Sequence, residues 1–203
     1  MIDTALILLR DELSAYINST VAPGTTVLLE NIALFESNQD ADLEGIIITL
    51  VNIEEESTLK NVKAVRPNAL GGVDYINPPV YLNLYVLFCT NFPGNYADAL
   101  HRLSGIIRFF QIQNIFSTGT AANLTAPITG NEPEDLSQLK LTLELYTLTF
   151  EQINHLWGAL GGRQLPFAMY KVRLVSLYDR RTGTEGPPIE TIEASVNHLD
   201  DNC

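Results

Sequence analysis

The sequence predicts an α+β fold: a mixed, largely antiparallel β-sheet packed with about three helices, followed by an extended C-terminal arm. Two kinds of hydrophobic period, helical steps and strict alternation, follow one another in the order α, β, β, β, α, β, α, β. That order lacks the regular strand–helix alternation of a parallel sheet, which points to antiparallel or mixed pairing. Apolar residues make up 46% of the 203 residues, enough for a core without metal or disulfide staples. The patterned stretch, residues 1–178, reads as one core domain. Residues 179–203, rich in Gly, Pro and acids, read as the arm.

Ile2, Leu6, Leu9, Leu13, Tyr16 and Ile17 recur at steps of three and four, which is one stripe on a helix. Asp3 is placed to cap its start, and Pro23 with Gly24 to stop it. Residues 26–32 read as a strand. The β-branched run from Ile46 to Ile53 suits a strand covered on both faces. Glu54, Glu55 and Glu56 end it; neighbouring acids on a strand alternate between faces, so they read as a solvated strand end and not as a cation site. Residues 58–79, with Pro67, Gly71, Gly72, Pro78 and Pro79, read as a long loop and a binding element. Its apolar Val73, Tyr75 and Ile76 are interface candidates.

Val80, Leu82, Leu84, Val86 and Phe88 alternate with Tyr81, Asn83, Tyr85, Leu87 and Cys89 in the clearest strand of the chain. Pro93 and Gly94 turn the backbone, and Asn95 is placed to cap a second helix with Tyr96, Leu100, Leu103, Ile107 and Phe110 as its stripe. Residues 117–135 are small and polar. Leu139, Leu141, Leu143 and Leu145 then alternate with polar residues in a strand with one wet face. Thr149 and Gln152 stand at capping-box spacing before a short helix carrying Phe150, Ile153, Leu156, Trp157 and Leu160. Gly161 and Gly162 end it. In the last strand Tyr170 and Val172 point inward, and Lys171 and Arg173 outward.

Composition narrows the function. There are 24 Asp plus Glu against 12 Lys plus Arg, a net charge of −12, and no basic run of the kind that binds phosphate. No nucleic-acid partner is expected. Charged residues are only 18% of the chain, against about 25% in an average protein. Such a surface suits hidden contacts with partners. Cys89 and Cys203 stand alone, without a CxxC spacing, and Cys89 reads as a small core residue. No apolar run reaches the ~18 residues of a membrane span. The start of the chain carries Asp3, Arg10, Asp11 and Glu12 rather than a signal peptide, so synthesis in the cytoplasm is expected.

His101, His155 and His198 are scattered, and no HExxH, GxSxG or phosphate-loop motif is present. Gly71 with Gly72, and Gly158 with Gly161 and Gly162, do not open a helix after a strand as a phosphate cradle would. No catalytic trio, metal site or cofactor can be assembled, and a non-enzymatic protein is expected.

Residues 153–174 carry Trp157, Leu160, Gly161, Gly162, Pro166, Tyr170, Val172 and Arg173 in a spacing that resembles a motif of one family. That family is the cap or tube-terminator proteins of phage-tail-like extracellular contractile injection systems. The opening helix with Ile2, Leu6, Leu9 and Leu13 is similar as well, and so is the run from Pro79 to Phe88 followed by Tyr96 and Leu100. The resemblance covers residues 1–178 and implies a tail-terminator-like fold. It further implies a hexameric ring on the last layer of the inner tube, stopping tube growth and engaging the final sheath ring. Partners would be further copies of the chain, the tube protein and the sheath protein. Assembly would take place in the bacterial cytoplasm, with the particle released or membrane-anchored.

Within that reading Arg173 is a candidate for pairing with an acid of a neighbouring subunit, with Lys171 beside it on the same outward face. Ile189 and Ile192 are candidate anchors of an arm that adds to a sheet edge of the sheath. The alternative is a phage-type tail-completion or head-joining subunit, because such proteins share mixed folds and ring geometry.

Overall fold

The computed structural model describes residues 2–34, 44–56, 65–67, 73–76, 80–125, 139–161, 163–177 and 182–186. In chain order the elements are α1 (Ile2–Tyr16), a π-helical turn (Ile17–Val21), β1 (Val27–Leu29), a 3-10 turn (Ile32–Leu34), β2 (Gly45–Glu55), β3 (Val65–Pro67), β4 (Val73–Ile76), β5 (Val80–Asn91), α2 (Tyr96–Ile112), β6 (Ile115–Ser117), β7 (Lys140–Leu145), α3 (Phe150–Ala159), β8 (Phe167–Leu177) and β9 (Thr182–Gly186). The chain divides into two compact units, Met1–Leu59 with Val80–Leu177, and Lys60–Pro79 with Tyr178–Cys203.

The first unit is built on a six-stranded sheet in the order β1-β2-β5-β8-β7-β6. Only β1 and β2 run parallel; the other neighbours are antiparallel, as the element order predicts. Alternation in β5 sends Leu84, Val86 and Phe88 to one face and Leu87 and Cys89 to the other, and all five are fully buried. A strand buried on both faces needs a layer on each. Helices α1 and α2 cover the first face through Leu9, Leu13, Ile106 and Phe110. Helix α3 covers part of the second through Trp157, which packs with Ile47, Leu87, Cys89 and Met169. Phe88 lies at the centre of the first core, edge-on to Phe110 at 5.0 Å and to Tyr170 at 5.6 Å.

Local chemistry ends the elements where the sequence says it should. The Asn95 side chain accepts from the Asp98 amide at the start of α2. Thr149 and Gln152 form a reciprocal capping box on α3. At the start of β2, Gly45 holds φ at 144°, and a Cβ there would come 2.5 Å from the Thr26 carbonyl oxygen.

Two sequence expectations change. The stripe expected on α2 is rotated. The side chains facing the core are Ala99, Ile106, Phe109 and Phe110, while Tyr96 is 67% exposed and Leu100 and Ile107 are also exposed. Both sets repeat at helical spacing, so the period alone does not say which faces the sheet. The packing of Gly105 against Ile17 and Val21 of the π-helical turn fixes the rotation, since a Cβ on it would lie 2.9 Å from a Val21 methyl. Second, residues 58–79 are not all loop: β3 and β4 lie within them. In the second unit these strands pair with β9 in a three-stranded antiparallel sheet, β3-β4-β9. Strands of three and four residues are too short to show a period.

Helix α1 also pins the segment after β6. Buried Asp11 accepts from the Thr125 amide at 2.7 Å and its hydroxyl at 2.6 Å, and pairs with Arg10 at 2.7 Å. Glu12 accepts from the Asn123 amide at 3.1 Å. Burial pushes the Asp11 carboxyl up, but the Thr125 bonds and Arg10 outweigh it and hold it below its ordinary value. A lowered folded-state value stabilises the fold above the ordinary carboxylate range, and that contribution is lost as pH falls through the lowered value. Asp11→Asn is therefore expected to be less stable than the parent at pH 7, with the gap closing below about pH 4, as read by urea unfolding at several pH values. In the same assay Phe88→Ala is expected to cost about 3–5 kcal/mol. Phe150→Ala, at a side chain 92% exposed, should stay within about 0.5 kcal/mol.

Candidate functional site

The second face of the six-stranded sheet continues beyond α3, and there it carries charge. A register shift between Leu50 and Asn52 against Val86 and Tyr85 makes Val51 an extra residue in β2. One extra residue reverses the side-chain parity of the rest of the strand. Ile46 and Ile48 face α1 and α2 before the bulge, and Glu54 and Glu56 face the opposite side after it.

On that side the acids meet β5, β8 and β7. The Tyr85 hydroxyl donates to Glu54 at 2.6 Å, and Lys171 Nζ lies 3.7 Å from the same carboxylate. Asn83 donates to Glu56 at 2.9 Å, and Arg173 lies 3.7 Å from Glu56. Arg173 reaches across to β7 as well, donating to Glu144 at 3.1 Å. Lys171 sits 5.6 Å above the Tyr85 ring, which is edge-on to Tyr146 at 5.0 Å. Three carboxylates and two cations thus tie four adjacent strands together on one surface.

The reading of the acidic triplet as a solvated strand end is corrected for Glu56, whose side chain is 10% exposed; Glu54, 53% exposed, meets water as expected but is also bonded. Glu54 and Glu56 share a face and are bonded, because i and i+2 on a strand point the same way. Arg173 and Lys171 do point outward as expected, but both are held by acids of their own chain. Sequence reasoning missed Glu56, Asn83, Tyr85 and Glu144. Glu144 stood on the wet face of its strand; nothing local signalled the cross-strand partners of the others. Val73, Tyr75 and Ile76 lie on β4, the middle strand of the three-stranded sheet. Ile189 and Ile192 lie outside the described residues.

The bond to Glu54, reinforced by burial, pushes the Tyr85 hydroxyl up to about 12, so it donates at neutral pH and does not act as a base. Burial pushes the Cys89 thiol up and leaves it an inert core group. His101 is exposed on α2, and His155 is exposed on α3 beside Glu151 at 3.8 Å; the two helices lie on opposite faces of the sheet. Among the described residues no three His, Cys, Asp or Glu gather as a metal site would, and no helix is long and apolar enough to cross a membrane.

The Pvc16 N-terminal domain profile matches residues 6–191. The chain belongs to that family. The fold of this chain is similar to two structures determined by cryo-electron microscopy. One is the PVC sheath/tube terminator of an extracellular contractile injection system in the extended state, with a TM-score of 0.59 and 15% identity. The other is the anti-feeding prophage cap, a tube-terminating cap, with a TM-score of 0.59 and 17% identity. The likeness takes in 100% and 97% of this chain but only 65% and 61% of theirs. No curated protein sequence matches the chain. The α+β fold with its mixed sheet, expected from the resemblance as terminator-like, is the fold of these structures.

Removing Arg173 leaves the Glu56 carboxylate, 10% exposed, with less compensation than removing Lys171 leaves Glu54, which is 53% exposed. Arg173→Ala is expected to lower stability by about 1–3 kcal/mol. Lys171→Ala should lower it by no more than about 1 kcal/mol, both read by urea unfolding.

Proposed function

We propose that this protein is a structural cap of a contractile injection particle. It ends polymerisation of the inner tube and joins the far end of the tube to the last sheath ring. The observation that carries this reading is fold similarity over 97% or more of the chain to two proteins that are themselves tube terminators. The physics is that of stacked rings. A ring grows when its two faces complement each other head to tail. A subunit that matches the last ring on one side and offers no matching surface on the other stops growth.

In this reading the protein is not an enzyme; its partners are further copies of itself in a hexameric ring, the tube protein and the sheath protein. It is assembled in the bacterial cytoplasm within a phage-tail-like particle. The paired-charge face around Lys171 and Arg173 suits one of these contacts, because its charges are already held in place and need little ordering on docking. With the acids Glu54, Glu56 and Glu144 against Lys171 and Arg173, that face carries a net charge of −1 and favours a partner bearing a cation. Val73, Tyr75 and Ile76 of β4 belong to a second contact, and Ile189 and Ile192 to an arm over residues 179–203 that reaches the sheath. No observation favours the head-joining alternative over the cap.

Deleting the gene is the test. Particles purified from the deletion strain are expected to show tubes of uncontrolled length, or sheaths detached from tubes, in electron micrographs, with rescue by the wild-type gene. Normally capped particles of uniform length from the deletion strain would overturn the proposal.

A further inference from the structure

Helix α2 is apolar on two sides, and the sheet covers only one of them. Ala99, Ile106, Phe109 and Phe110 are buried against the core. Tyr96, Leu100 and Ile107 stand in water at steps of four and seven, with half-buried Leu103 between them. The row runs about 16 Å along the helix, or three turns. At Ile107 it meets a groove of about 320 Å³ lined by Phe110, Leu143 and Leu145, with the carboxamides of Gln111 and Asn114. Ile112 and Ile115, which follow in the chain, are exposed as well. A single apolar side chain in water is ordinary, but a row at helical spacing that leads into a groove marks a surface covered in use.

Charge describes what covers it. Asp98 is the only acid in α2, and Arg102 pairs with it at 3.5 Å. Arg108 and His101 are exposed, about a quarter to a third of a turn round the helix from Ile107 and Leu100. Among the described residues neither pairs with an acid. In a chain of net charge −12, the outward side of α2 is thus an apolar row beside a free cation. A second copy of α2 laid on it would bring Arg108 toward Arg108, whereas a partner with carboxylates beside its apolar groups matches both features.

Backbone chemistry describes the partner's shape. The amides and carbonyls of α2 are bonded within the helix and offer an incoming strand nothing to pair with. A strand laid across the apolar row would leave its own backbone groups unmatched there. A helix satisfies its backbone internally and presents side chains at the same three- and four-residue spacing as the row.

We propose that the outward side of α2 docks an acidic amphipathic helix of a partner protein, its apolar stripe on Tyr96, Leu100 and Ile107 and its carboxylates toward Arg108. This surface lies on the opposite side of the sheet from the paired-charge face, and docking here does not depend on the cap reading.

The test uses the full chain and three labelled peptides of about four turns, followed by fluorescence anisotropy. One carries a leucine stripe flanked by Glu, the second has Lys in place of every Glu, and the third is the Glu peptide broken by a central proline. The Glu peptide is expected to bind about tenfold more tightly than either of the others and to weaken with added salt. Leu100→Ser and Ile107→Ser, both at exposed positions, should each weaken it about tenfold with the urea midpoint little changed. Arg108→Glu should reverse the preference, so that the Lys peptide binds more tightly. His155→Glu, on α3, makes the same change of side-chain type elsewhere and should leave the preference intact. Equal binding of the Glu and Lys peptides, or none, sinks the proposal. So does full affinity for the proline-broken peptide, which means an extended partner. Self-association of the chain that Leu100→Ser abolishes in sedimentation velocity means that a second copy covers the row, and it overturns the partner helix as well.

Discussion

The burial of β5 on both faces is the constraint from which the rest of the first unit follows. Phe88, Val86 and Leu84 on one side and Leu87 and Cys89 on the other are all removed from water. Each such side chain contributes about 1.5–3 kcal/mol, so exposing either face would cost much of the stability of a domain this size. Both faces must be layered. Helices α1 and α2 supply one layer with a continuous aromatic and aliphatic core. Helix α3 supplies the other, but it has only ten residues and covers only part of the sheet.

What α3 leaves bare must tolerate water, and the paired-charge face answers that requirement. The bulge at Val51 is what makes it possible. Without the extra residue Glu54 and Glu56 would continue the parity of Ile46 and Ile48 and project toward α1 and α2. With it they project outward, onto Tyr85, Asn83, Lys171 and Arg173. Core and candidate interface are thus two sides of the same strands, and residue parity assigns each side chain to one or the other. A sheet stiffened in this way holds its surface in one arrangement before a partner arrives, which suits an assembly component.

Most of the first unit was legible in the sequence because its signals are local. Asn95, Thr149 and Gln152 announced their caps through side chains that reach only three residues along the chain. The alternation of β5 and β7 reported their inward faces as far as Leu143, while Leu145 at the end of β7 is exposed. The Trp157 to Arg173 stretch pointed to the family that the profile match then established. The candidate site was legible only in part. Lys171 and Arg173 could be placed on an outward face, but their acids come from residues 29 to 117 positions away, and no local pattern encodes that approach. The strands β3, β4 and β9 were invisible for a related reason: each becomes a strand only by pairing with another.

By itself the sequence determined the class of fold, the alternation that buries β5, the caps of the second and third helices and the absence of any recognisable catalytic motif. These depend on periodicity and on neighbours within a turn or a strand, where sequence spacing is also spatial spacing. Tertiary structure decided which stripe of α2 faces the sheet, where the parity of β2 reverses and which acids hold Arg173. Each of those is settled by a contact between distant segments: Gly105 against the turn after α1, the unpaired Val51 beside β5, and Glu56 and Glu144 converging from β2 and β7. Such choices follow from the free energy of packing one element on another, which no window along a single strand or helix contains.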